Sequence, residues 1–178
     1  GRQREQEVKA MAVAEILNQD SSVWSGRVKD YNGQGKGVTL KTVANSLIKP
    51  LYLELEKHKS SLGEKPLEKW VFDVMEAYWV AINEIFPEAF SLEGSREYNI
   101  MKASQAEILQ RLLVKIVSSN FRGKEKIVES LIKPESYKKV LSKFLLNYAD
   151  TNNLGQPIKG LQCWKTGEQG SMGRYTSG

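Results

Sequence analysis

Apolar residues recur at helical spacing along most of this chain. The clearest run is Leu67 to Phe86, where Trp70, Val71, Val74, Met75, Tyr78, Ile82, Ile85 and Phe86 form a wide stripe. Pro66 opens that run and Pro87 stops it. A second helix is predicted from Gln105 to about Ser118, with Ile108, Leu109, Leu112, Leu113, Ile116 and Val117 inward; Ser104 and Glu107 have the spacing of a capping box. A third runs from Glu135 to about Asn147, with Tyr137, Val140, Leu141, Phe144 and Leu145 inward. A shorter helix through Ile127, Val128, Leu131 and Ile132 ends before Pro134. Near the start, Gln3 to Asn18 reads as a helix whose stripe is Val8, Met11, Ala12 and Ile16.

Between the first helix and the long one the pattern changes. Val23 to Val28 reads as a short strand, and Lys29 to Gly37 carries an Asn-Gly step and repeated glycines, a turn signal. Val38-Thr39-Leu40 then pairs back as a small hairpin. Thr39 or Thr42 caps a helix over Lys41 to Lys49, Pro50 ends or kinks it, and Leu51 to Leu55 continue as helix. Ser60 to Pro66 is a polar loop, and the chain is loop-rich from Asp150 onward. The expected fold is mainly α, an irregular multi-helix bundle with at most a small β-hairpin near residues 23–40. Residues 1–178 form a single domain. Thr176-Ser177 is a helix-capping pair, so the chain is expected to be a fragment of a longer protein.

Composition narrows the chemistry. At 178 residues the chain can bury a sizeable core. It has no apolar run of membrane-spanning length, and its charged first residues lack a signal-peptide core, so no membrane partner is expected. A lone Cys163 fits a reducing cytoplasm. With one histidine, His58, beside that one cysteine, a His/Cys zinc cluster cannot form within the chain. A Cys-His nucleophilic pair can be drawn, but the two lie in different polar contexts, His58 reading as a frayed surface helix end. The carboxylates between Glu54 and Glu107 show neither metal-ligand nor paired acid–base spacing. Neither metal nor cofactor is expected, and for this chain alone catalysis is the less favoured reading.

Charge points elsewhere. The net charge of +5 is uneven: residues 1–50, 120–150 and 151–178 are each basic, whereas 51–119 are acidic. A basic surface built from the chain's two ends suits a polyanion such as DNA. Two glycine-rich stretches lie within those ends. Asn32 to Gly37 follows Arg27 and Lys29, and reads as an exposed hairpin tip or as a loop touching nucleic acid. Gly167, Gly170 and Gly173 precede Arg174, and read as a plain loop or as backbone amides approaching a phosphate. Neither matches a P-loop or a dinucleotide fingerprint. The basic run from Arg122 to Lys143 is interleaved with Glu125, Glu129 and Glu135, and reads first as a solvated helical face. The phosphate-contacting candidates are Arg27, Lys29, Lys36, Lys159, Lys165 and Arg174, with Trp24 and Trp164 packed beneath or beside their loops.

Several stretches together resemble one family. Leu17 through Val28, with Trp24-Ser25-Gly26-Arg27, is similar to the "Asn, Ser-Pro-Trp, Gly-Arg-Ile" segment of bacterial Asp-Gly-Gln-His-Arg (DGQHR) domain proteins. Val38 to Val43 resembles the helix start that follows it. Tyr78 to Phe90, with Phe86-Pro87-Glu88, resembles the family's Phe-Pro-Glu helix end, and Trp164 with Gly170 to Ser177 its glycine-rich close. Val23 replaces the family's proline, and Gly1-Arg2-Gln3-Arg4 only echoes the naming motif. The family includes the regulatory protein of DNA phosphorothioation gene clusters and members in phage-defence islands. The resemblance implies that this chain is the helical C-terminal half, with any nucleotide or nuclease chemistry in the motif-bearing half. The expected function is a non-catalytic helical domain of a DNA-modification or phage-defence protein, contributing DNA binding or self-association, or contact with another subunit of the defence system. The alternative is a helical protein–protein interaction module without nucleic-acid contact.

Overall fold

The computed structural model describes residues 1–29, 37–91, 93–123 and 128–167. The architecture is mainly α, a multi-helix bundle with, among the described residues, two small two-stranded sheets. Its centre is helix α4, Leu67–Ile85. Trp70, Val71, Val74, Met75, Tyr78, Trp79 and Ile82 are all buried, so α4 is enclosed on most sides, as its wide stripe predicts. Around it pack α1 (Arg2–Asp20), α3 (Lys49–Glu56), the 3-10 turn Val128–Ile132 and α7 (Pro134–Asn147). After the single turn α5 (Gly94–Glu97), helix α6 (Ala103–Arg122) lies against α3. Among the described residues, no helix is long and apolar enough to cross a membrane.

Helix α1 turns a different face inward from the one the sequence pattern suggests. Ala10, Val13, Ala14 and Leu17 are buried, whereas Val8 is 61% and Ile16 42% exposed, and Ala12 is exposed too. The alanines let α1 approach its neighbours closely, so small residues rather than large ones mark the buried stripe. Helix α7 shows a similar narrowing. Tyr137, Leu141 and Leu145 are buried, but Val140 is 56% and Phe144 45% exposed.

The stretch from Leu40 to Glu56 is helical throughout. It comprises α2 (Leu40–Thr42), a π-helical stretch (Val43–Ile48) and α3. Thr39 caps it, its Oγ1 accepting the Thr42 N–H at 3.2 Å. Pro50 does not end this helix. In the wide turns before it the Lys49 N–H reaches back to the Ala44 carbonyl, which makes room for a ring that would clash in a regular turn. Gln110, buried on α6, ties this stretch to α4: its amide N–H donates to the Leu47 carbonyl (2.9 Å), and its Oε1 accepts the Trp79 indole N–H (2.9 Å).

The expected strand at residues 23–28 is mostly a turn. Among the described residues there, Val28–Lys29 (β1) and Val38–Thr39 (β2) pair, and their short contact is parallel rather than a hairpin, set by the Val38 N–H donating to the Arg27 carbonyl at 3.1 Å. An antiparallel hairpin instead lies at β3 (Ala149–Thr151) and β4 (Pro157–Lys159), in the stretch read as loop. The capping box at Ser104 does not form either. Helix α6 begins earlier, with Lys102 at the N-cap and no side-chain cap, and Glu107 pairs with Arg111 at 2.7 Å.

Candidate functional site, a cationic cleft

A turn from Asn18 to Gly26 builds one wall of a broad cleft. Ser21 ends α1 in an extended conformation, and its Oγ accepts the N–H groups of Val23 (3.1 Å) and Trp24 (2.9 Å). The Glu76 carboxylate on α4 accepts from the Ser21 and Ser22 hydroxyls and from the Ser22 N–H, all within 3.2 Å. Asn18 Oδ1 accepts the Gly26 N–H at 3.1 Å. Trp24 is driven into the core, edge-on to Trp79 at 5.1 Å. The residues of this segment therefore serve first to fold a tight, pinned turn.

That turn delivers Arg27. Its guanidinium donates to the Phe90 carbonyl at 2.6 Å and lies 5.9 Å from the Phe90 ring centre. Burial lowers its pKa from the usual arginine value. Among the described residues no carboxylate forms an ion pair with it. Gly37 passes directly over this segment. A Cβ there would lie 1.9 Å from the Arg27 carbonyl oxygen, and its φ of +103° is one that side-chain-bearing residues rarely adopt.

The cleft has a volume of about 760 Å³. Ser25, Gly26 and Arg27 form one side, Gly37, Val38, Thr39 and Thr42 a second, and Ser95, Tyr98, Met101, Lys102 and Ala103 a third. Two cations and several hydroxyls line it, and no carboxylate does among the described residues. Helix α6 starts at its edge without a side-chain cap, so the free N–H groups of its first turn add partial positive charge beside Lys102. Cations at a helix N-terminus oppose the dipole, and an anion placed there relieves both.

The sequence-derived candidates divide. Arg27 lines the cleft. Lys29 stands opposite Thr39 in the β1–β2 ladder, just beyond the lining. Lys165 is exposed and bridges to Tyr98, a lining residue. Lys159 lies on β4 opposite Ala149, away from the lining. Lys36 and Arg174 lie outside the described residues, as do most of both glycine-rich stretches. Of their described residues Gly37 lines the cleft, and just before Gly167 the Thr166 N–H donates to the carbonyl of Glu97, next to the lining Tyr98, at 2.6 Å. Trp164 is buried against Phe86 and Tyr148, so neither tryptophan is presented to a ligand here. Sequence reasoning missed Lys102, Tyr98 and Met101. The signal was a lysine standing where helices favour a small capping residue.

The alternatives for chemistry fare less well. His58 is half-buried rather than frayed on the surface, stacked on Phe121 at 4.0 Å with Nε2 3.5 Å from Glu54. Cys163 is buried with Sγ 3.7 Å from the Tyr148 carbonyl, and burial together with Asp150 pushes its thiol up to about 11, the reverse of nucleophile activation. Among the described residues no three His, Cys, Asp or Glu side chains could share a metal ion. A second groove of about 460 Å³ does gather Glu5, Glu56, Glu64 and Glu68. Arg2, Lys9, Lys59 and Lys65 line it too, with Arg2–Glu56 at 3.2 Å and Lys9–Glu68 at 3.4 Å, so its charges balance. No family model, curated protein or solved structure matches the chain.

Proposed function

We propose that this chain is a non-catalytic helical domain that contacts DNA through its phosphate backbone at the Arg27–Lys102 cleft. The observation that carries the reading is a half-buried guanidinium without a carboxylate partner among the described residues, facing the same cleft as an uncapped helix N-terminus headed by a lysine. A phosphate group satisfies both at once. Gly37 lines this opening and Lys165 is bridged to the lining Tyr98, which supports the idea that both basic ends of the chain act together. The setting in a DNA-modification or phage-defence protein rests on the family resemblance and belongs to this proposal.

The test is fluorescence anisotropy of a labelled oligonucleotide titrated with the chain over a series of salt concentrations. Affinity falls with salt in proportion to the phosphates neutralised. Lys102→Ala, an exposed substitution, lowers the salt slope by about one. Binding that is absent at low ionic strength, or a slope unchanged by Lys102→Ala, rules the proposal out.

A further inference from the structure

Phosphate contact leaves part of the Arg27–Lys102 cleft unused. Beside the two cations stand Val38, Tyr98 and Met101, and the volume of about 760 Å³ is that of a pocket able to enclose a small organic group. A phosphate needs no apolar wall. Tyr98 and Met101 pack partly on the core, yet both are only half-buried. Among the described residues no other ring stacks on Tyr98.

These side chains stand on a fixed backbone. The Tyr98 N–H donates to the Gly94 carbonyl at 2.8 Å, and Tyr98 bridges to Lys165. Gly94 is itself tightly packed, since a Cβ there would lie 1.5 Å from the Glu88 carbonyl oxygen. The Lys102 N–H then closes a turn on the Asn99 carbonyl at 2.9 Å. An aromatic ring, a thioether and a cation therefore reach the cleft from five successive residues, with Arg27 on another side.

That combination distinguishes two forms of DNA. A duplex keeps its bases stacked inside and presents phosphates on a convex surface, so it offers nothing to Tyr98 and Met101. A single strand turns an unstacked base toward an aromatic ring while its backbone stays with the cations. We infer that the cleft takes single-stranded DNA, one base lying against Tyr98 and Met101 while an adjoining phosphate meets Arg27 and Lys102. This rests on the phosphate reading proposed above and narrows its ligand to an unpaired strand.

The test is fluorescence anisotropy of three labelled probes: a single strand, an abasic strand of the same length and charge, and the corresponding duplex. A duplex carries the denser array of phosphates, so a site that reads phosphate alone favours it. The expected result is the reverse, with the single strand bound about tenfold tighter than the abasic strand and tighter than the duplex. Tyr98→Leu removes that tenfold advantage while leaving the salt slope in place, and Tyr98→Phe, which keeps the ring, retains it. If Tyr98→Leu fails to fold by circular dichroism, the abasic comparison on the unaltered chain decides. Equal binding of the natural and abasic strands, or a duplex bound as tightly as the single strand, overturns the inference and leaves the phosphate reading standing. Failure of all three probes to bind at low ionic strength removes the phosphate reading, and this inference with it.

Discussion

Two glycines border the cleft and separate two physical effects. Both Gly26 and Gly37 have positive φ, +75° and +103°. A Cβ on Gly26 meets nothing within 4 Å, whereas one on Gly37 lies 1.9 Å from the Arg27 carbonyl oxygen and 2.5 Å from its carbon. Gly26→Ala therefore pays only for a left-handed backbone, about 1–2 kcal/mol. Gly37→Ala adds overpacking of about 1–3 kcal/mol and weakens the Val38 N–H to Arg27 carbonyl bond by about 1 kcal/mol, for a total of about 3–6 kcal/mol. Urea unfolding followed by circular dichroism reads the difference. With a slope of about 2 kcal/mol per M, the Gly37→Ala midpoint lies roughly 1 M or more below that of Gly26→Ala. Equal midpoints for the two variants would mean that Gly37 does not press on Arg27. The physical basis for the geometry of the cleft wall would then be lost.

Two other expectations follow from buried groups. Gln110→Leu leaves the Trp79 indole N–H and the Leu47 carbonyl unpaired and destabilises the fold by about 2–5 kcal/mol in denaturant unfolding; adding Trp79→Phe recovers part of that loss, and strict additivity in the double-mutant cycle would refute the bridge. Cys163 reacts slowly with iodoacetamide in the folded chain, and its rate rises with pH toward a midpoint of about 11. Because burial raises it above the usual thiol value of about 9, the neutral thiol's contribution to stability is complete below about pH 9 and is lost as pH climbs through about 11; a midpoint near 9 in the folded chain contradicts its burial.

The large elements were legible because their signals are redundant. The α4 stripe is wide, and Pro66 and Pro87 bracket it. What escaped was decided by tertiary contact. Alanine carries little hydrophobic weight in a periodicity argument, so the Ala10–Ala14 face of α1 was passed over for the larger Val8 and Ile16. Pro50 reads as a stop unless the π turns before it are known. Ser104 has a capping residue's identity, but α6 starts before it. The site was half legible. Charge and turn chemistry point to Arg27 and Gly37 at the cleft. Lys102, Tyr98 and Met101 come from a different part of the chain, and only folding brings them to face Arg27.

The most direct test of the central claim is amide chemical-shift mapping of the chain with a short oligonucleotide at low ionic strength. The account predicts shifts at Arg27, Gly37, Thr42 and Tyr98 and in the first turn of α6 at Ala103 and Ser104, all reversed by salt. Shifts confined to Lys138, Lys139 and Lys143 on α7, with the Arg27 and Ala103 amides unmoved, would contradict it and assign the DNA contact to the solvated basic face instead.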